Sequence, residues 1–373
     1  MNKYILAAAG SGKTSHIVKA ALNIMNSRIL ITTLTDANKD EIVKKICELN
    51  HGIVPKNIIV KAWFTFLLHD GVKPYQDIIC DIKVSGVELV NKKSGYHYTY
   101  NGIPVYYSET SPREHYFSSQ NKIYSDKISK FVDRVDSATY GSILERLEKI
   151  YDYIFIDEVQ DLAGYDLELL KKLFNSSINI VLVGDPRQVT FHTHNEAKYK
   201  KYSNGNIDEF LAIECKKENV LIDTTSLNNS YRNNQIICDF AYKIYPNFSK
   251  CDSNTSEVTG HDGIFFVREK DAVEYLKKYK PVQLRNSKAS KCVLDGYQIV
   301  NFGDCKGLTF DRVAIIPTSP FLGWIKDHNS KLNDESRAKL YVAVTRAKYS
   351  VAFIVPNDFD VPENNSDGIH YYK

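Results

Sequence analysis

The sequence has no Cys-x-x-Cys pair, and its cysteines number seven, an odd count. They stand at 47, 80, 215, 238, 251, 292 and 305. Neither a zinc framework nor a disulfide scaffold follows from that spacing, and scattered thiols fit a reducing compartment. Long apolar runs are missing too. The longest, Tyr4–Ala9 and Ile178–Val183, fall far short of the roughly 20 residues a spanning helix needs. The sequence therefore predicts no membrane partner. There is no excess of one charge: 48 Lys and Arg against 45 Asp and Glu leave +3. That neither demands nor forbids a nucleic-acid partner, since a balanced total leaves room for a local basic groove. No internal repeat or low-complexity tract is present, which excludes a solenoid. Methionine and tryptophan are scarce, at two each, whereas tyrosine reaches 25. We read that abundance as compositional bias of the source rather than as a functional stripe.

What is present is an α/β rhythm in a chain long enough for two or three domains. Tyr4–Ala8 reads as a buried strand, Thr14–Asn26 as a helix and Arg28–Thr33 as a β-branched strand. The stretch 36–49 places Ile42, Val43, Ile46 and Leu49 at helical spacing, and Ile58–Lys61 reads as another strand. The β-α-β-α-β order predicts a parallel sheet with helices on its faces. The rhythm breaks over 66–149, read as an insertion with its own small fold. Inside it Tyr96, Tyr98 and Tyr100 alternate with His97 and Thr99 before Asn101-Gly102 and the return run Ile103–Tyr107. Asn-Gly between alternating runs predicts a hairpin, and Pro104 puts the return strand at an edge. The tyrosine face has two readings, stacking on bases or packing against the body of the protein; we favour packing. The rhythm resumes at Tyr153–Ile156 and Ile178–Val183. A second α/β segment begins near 226, with a helix at Asn234–Tyr245 and strands at Val313–Pro317 and Val351–Val355. Residues 246–295 read as polar and irregular.

Two motifs carry chemistry. Gly10-Ser11-Gly12-Lys13-Thr14 follows a strand and opens a helix, the setting of a phosphate loop. Backbone N–H groups of such a loop cradle phosphates. Lys13 would reach the β- and γ-phosphates, and the Thr14 hydroxyl would bind Mg2+. A removed leader would carry this loop away, so the sequence predicts a cytoplasmic chain. Asp157-Glu158 closes the strand Tyr153–Ile156, and a carboxylate there borders the ligand crevice of a parallel sheet. Asp157 suits the Mg2+ shell, and Glu158 suits activating the attacking water.

With these motifs in place, the chain resembles the UvrD/Rep-like superfamily 1 helicases over most of its length. The phosphate loop and DEVQD are similar to that family's first two nucleotide motifs. ITTLTDANKDEIVKKI at 31–46, with Thr33, resembles its early strand-contact motif, and VLVGDPRQVTF at 181–191 its third, which makes Gln188 the γ-phosphate sensor. SYRNNQIICDFA at 230–241 is similar to the fourth, with Tyr231 near the adenine and Arg232 at the γ-phosphate. CKGLTFDRVAI at 305–315 resembles the fifth, implying Gly307 for the nucleotide and Lys306 for the strand. LYVAVTRAK at 340–348 resembles the sixth, whose arginine finger is here Arg346. Trp63 and Phe64 are similar to an aromatic strand-contact stretch, and core packing is the competing reading for both. The family's aromatic strand-contact positions hold Leu34 and Thr193 here, and Thr309 replaces a ribose-contacting Glu.

The resemblance implies an α/β fold of two RecA-like P-loop NTPase domains with parallel sheets. The first would be 1–65 with 150–225, interrupted by the insertion 66–149. The second would be 226–373, with a reduced insertion near 246–295. It also implies a Mg2+-dependent ATPase stimulated by single-stranded nucleic acid, DNA rather than RNA, moving 3′→5′. The pared insertions leave a second reading open: a nucleotide-gated switch or sensor subunit that does not unwind and works with a partner such as a nuclease.

Overall fold

The computed structural model describes residues 2–190, 193, 197–290, 294–360 and 369–372. Phe191 of the third motif and Cys292 lie outside that set. By packing, the chain forms two compact units. One comprises Met1–Ile5, Lys13–Gly184 and His192–Asp223; the other comprises Leu6–Gly12, Asp185–Phe191 and Thr224–Lys373.

Most of the first unit is built on a six-stranded sheet, four of whose strands lie wholly within it. Its order is Leu221–Leu227, Lys3–Ala7, Asn179–Gly184, Tyr153–Ile156, Ile29–Thr33, Ile58–Ala62. The last four of these strands pair in parallel. Ile29–Thr33 is buried at every position, as a strand covered on both faces must be. Helix Asp36–Leu49 turns Ile42 and Ile46 inward, and Thr35 caps it by accepting from Asn38 N at 3.1 Å. The phosphate-loop helix runs Lys13–Leu22, shorter than the expected 14–26. Asn23 follows its last residue, and Asn26 already has φ +60°.

Residues 66–149 pack within this first unit rather than as a unit of their own. Helix Ile128–Ala138 explains why: it buries Phe131, Val132 and Val135. The hairpin forms as Tyr96–Tyr100 against Ile103–Tyr106, antiparallel, with Asn101 and Gly102 both at positive φ. The favoured packing of its tyrosine face is corrected. Every residue of Tyr96–Tyr100 is exposed.

The second unit holds another six-stranded sheet, parallel throughout. Its order is Ile299–Asn301, Val282–Arg285, Phe310–Ile315, Ala347–Val355, Gly263–Arg268, His370–Tyr371. The reading of 246–295 as irregular is therefore overturned. That stretch contributes the strands Gly263–Arg268 and Val282–Arg285 and the helix Ala272–Tyr279 between them. The short apolar run GIFFVR follows the polar stretch 252–262 and precedes Glu269-Lys270-Asp271, yet Ile264, Phe266 and Val267 are buried. Helix Gln235–Ile244 is capped by Asn234, which accepts from Ile237 N at 3.1 Å, and it buries Ile237, Phe240 and Ile244.

Candidate functional site

In the first unit, the strand Tyr153–Ile156 ends on Asp157, whose N–H donates to Thr32 O at 2.9 Å. The chain then turns through Glu158 in a left-handed conformation, φ +55°, which is costly for a residue with a Cβ. The Asp157 carboxylate accepts from Glu158 N at 2.9 Å. That turn aims Glu158 at the start of the phosphate-loop helix, where Lys13 Nζ stands 3.1 Å from its carboxylate. Gln160 Nε2 donates to the other oxygen of Glu158.

Asp157 is buried, and burial pushes its pKa well above the usual carboxylate range, with the neighbouring negative charge of Glu158 adding to the rise and Lys13 opposing it. A carboxylate so placed fits a divalent cation, which would offset its desolvation. Carboxylate and hydroxyl oxygens suit Mg2+, which takes few protein ligands and keeps phosphate and water oxygens. Asp157 and Thr14, the second residue of helix Lys13–Leu22, are the residues that would supply such oxygens. Among the described residues no cluster of three or more His, Cys, Asp or Glu could hold a metal by itself.

The second unit carries the loop backbone up to Gly12. Ala8 N donates to Leu227 O at 2.7 Å, and Tyr231 N donates to Gly10 O at 2.9 Å. Gly10 and Gly12 take φ +72° and +79°. A Cβ on Gly10 would lie 2.6 Å from Ser230 Oγ and 2.7 Å from Arg232 Cβ, so the loop and the Ser230–Arg232 turn approach as only glycine allows. Ser11 Oγ is buried without a hydrogen-bond partner among the described residues, as a cradle for a polar ligand would leave it.

Beside the loop, Gln188 Nε2 donates to Asp185 at 2.8 Å, and Gln188 Oε1 accepts from Arg346 Nη2 at 3.1 Å. Arg346 is buried, and its other donors reach Val342 O and Leu308 O at 3.1 and 3.3 Å. Arg232 Nη1 donates to Thr345 O at 3.3 Å. Tyr231 is 69% exposed, a ring open for stacking. Sequence reasoning missed the residues that hold this cluster. Asp185 accepts from Arg187, Gln188 and Tyr341 at once. Arg187 Nη2 also donates to Ala7 O at 3.1 Å. Asn233 Nδ2 donates to Thr345 O and Ala347 O, clamping both sides of Arg346. The adjacency of Asn233 to Arg232 in the sequence was the available signal.

The expected strand contacts are not gathered in one place. Thr33 is buried at the end of its strand. Of the two readings open for Trp63, its burial is that of core packing: it is 1% exposed, and its Nε1 donates to buried Asp166 at 2.8 Å. Phe64 and Lys306 are half-buried, and Gly307 is an exposed turn residue at φ +82°.

Residues 113–355 match the family model of the viral superfamily 1 RNA helicase core domain, and residues 2–194 match an AAA domain. The chain belongs to the superfamily 1 helicases. A probable DNA helicase II homolog of Mycoplasma capricolum is 25% identical over 289 residues, 65% of this chain and 38% of the relative. The chain thus spans about two-fifths of that relative's length. Among solved structures, the arterivirus nonstructural protein 10 helicase aligns with 96% of this chain and 60% of its own, at 16% identity and TM-score 0.49. The complex of that protein with DNA aligns with 96% and 61%, at 16% identity and TM-score 0.48. Among the described residues no helix is long and apolar enough to cross a membrane.

Proposed function

We propose that the chain hydrolyses ATP on single-stranded nucleic acid and moves 3′→5′ along DNA. The observation that carries this reading is the meeting of Lys13 and Glu158 at 3.1 Å beside the buried Asp157. Bound ATP would draw Lys13 onto the β- and γ-phosphates and free Glu158 to take a proton from the attacking water. The water oxygen bonds to the γ-phosphorus, and the bridging oxygen leaves with ADP. Mg2+ held by Thr14 and Asp157 would neutralise charge on the phosphate oxygens. Arg232, packed against Gly10, and Arg346, held on Gln188, would be the arginines that meet the charge of the transferring phosphoryl group. Tyr231 would stack on the base.

One observation favours a limited unwinder. Residues 246–295 form core strands and a helix of the second unit, so an accessory domain that engages a duplex has no place there. We expect turnover stimulated by single strands and release of only short duplexes with a 3′ tail. An ATPase assay with and without single-stranded DNA or RNA tests the reading. Turnover that no nucleic acid stimulates would overturn it and favour a nucleotide-gated switch paired with a partner such as a nuclease.

A further inference from the structure

We propose that the ribbon 96–106 is a base-stacking surface for single-stranded nucleic acid, with Tyr98 and Tyr100 holding a base and Lys92 and Lys93 meeting phosphates. This rests on the strand-dependent activity proposed above and adds to it a contact surface outside the helicase motifs.

The ribbon carries apolar and aromatic surface that the fold leaves in water. Tyr96, Tyr98, Tyr100 and Ile103 are 56%, 47%, 65% and 68% exposed. Past the irregularity between Tyr96 and Tyr98 the pairing is regular, with Tyr98 opposite Val105 and Tyr100 opposite Ile103. Tyr98 and Tyr100 therefore share one face of the pleat, about 6.8 Å apart along the strand. That is about twice the 3.4 Å separation of stacked bases, so one base fits between the two rings.

The surroundings select the partner by charge. From 89 to 108 the chain has no Asp or Glu, while Lys92 and Lys93 lie exposed at the ribbon's root. The tyrosine rings bring stacking area with no charge of their own, a pairing that suits a polyanion carrying π-faces.

The root is fixed while the tip is free. Tyr107 N donates to Gly95 O at 2.8 Å, and the His97 ring stacks on Tyr107 at 4.0 Å. Gly95, at φ +70°, lies so close to Lys127 that a Cβ would come within 2.7 Å of its Nζ. Fully buried Lys127 in turn donates to Ser94 O at 3.0 Å and His115 O at 2.8 Å. A two-stranded ribbon alone is marginal in water; this anchoring holds its rings in place and lowers the ordering cost of binding.

The test measures binding of a fluorescent oligo-dT of about 16 nucleotides to the full chain without nucleotide. Tyr98→Ala with Tyr100→Ala should weaken binding by about 30-fold, and Tyr98→Phe with Tyr100→Phe should restore it. Thermal midpoint and ATPase without nucleic acid should stay at parental values, since these side chains face solvent. Lys92→Ala with Lys93→Ala should weaken binding and flatten its salt dependence. If the parent binds and is stimulated by oligo-dT while the alanine pair binds equally well, the inference falls alone and the ribbon is left to a protein partner. If the parent neither binds nor responds to single strands, the proposed function falls and takes this inference with it.

Discussion

Replacing Gly10 by alanine perturbs two things at once. An L residue forced to φ +72° costs about 1–2 kcal/mol. The new Cβ also meets Ser230 Oγ at 2.6 Å and Arg232 Cβ at 2.7 Å. Arg232 Cβ is fixed to backbone and cannot swing aside, so overpacking adds about 1–3 kcal/mol. Gly12 is the internal control, because at φ +79° an added Cβ there meets nothing within 4 Å. Gly12→Ala therefore carries the conformational cost without the collision. At roughly 2–4 °C per kcal/mol, Gly10→Ala should lower the thermal midpoint by about 10 °C and Gly12→Ala by about half that. The displaced arginine should also reduce kcat at saturating ATP, since an arginine finger is worth about 10³–10⁵. Thermal melts of both variants, followed by steady-state ATPase, give the comparison. Equal melting shifts, or full kcat in Gly10→Ala, would refute the claim that this glycine exists to admit Arg232.

Glu158→Gln should retain ATP while turnover collapses, whereas Lys13→Ala should lose nucleotide affinity as well. Nucleotide binding read alongside ATPase separates the two, and near-normal turnover in Glu158→Gln would remove Glu158 as the base. Trp63→Phe deletes the donor to buried Asp166 and should cost about 1–3 kcal/mol of stability. Its oligonucleotide affinity should be unchanged, and a selective loss of affinity would return Trp63 to the strand. His261 lies between the rings of Phe265 and Tyr279, with Nε2 2.8 Å from Tyr275 OH. Burial, aided by Arg312 and Lys278 and opposed by Asp262, lowers its pKa from 6.5 to about 4. A depressed pKa gives stability that is whole above pH 6.5 and drains as pH falls towards 4. His261→Phe should melt with a shallower acid slope, and identical slopes would show that the ring does not carry this dependence.

The nucleotide motifs were legible because each sits at a strand end and its chemistry is tied to residue type. Asp157, Glu158 and Lys13 are neighbours in space for the same reason they are recognisable in sequence. Asn101-Gly102 fixed the hairpin, since few other pairs take two positive φ angles in succession. Its burial was not legible, because alternation gives two faces without naming what covers either. Gly263–Arg268 escaped notice because a buried parallel strand is only a short apolar run, and six residues among polar flanks carry no period. The Asp185 hub escaped too, because sequence does not disclose how many donors converge on one carboxylate.

The order of strands in the first sheet has a consequence for how the chain is made. Lys3–Ala7 lies between Asn179–Gly184 and Leu221–Leu227. Asn2, just ahead of it, donates to Phe174 O across a separation of 172 residues. The strand Lys3–Ala7 therefore has no sheet neighbour until about 170 further residues have been made. At about 5–20 residues per second that wait is roughly 10–35 s. Throughout it, Tyr4, Ile5, Leu6 and Ala7, all buried in the finished protein, travel unpaired. Nascent chains stalled before residue 179 should bind holding chaperones through this segment and release them once the sheet can close.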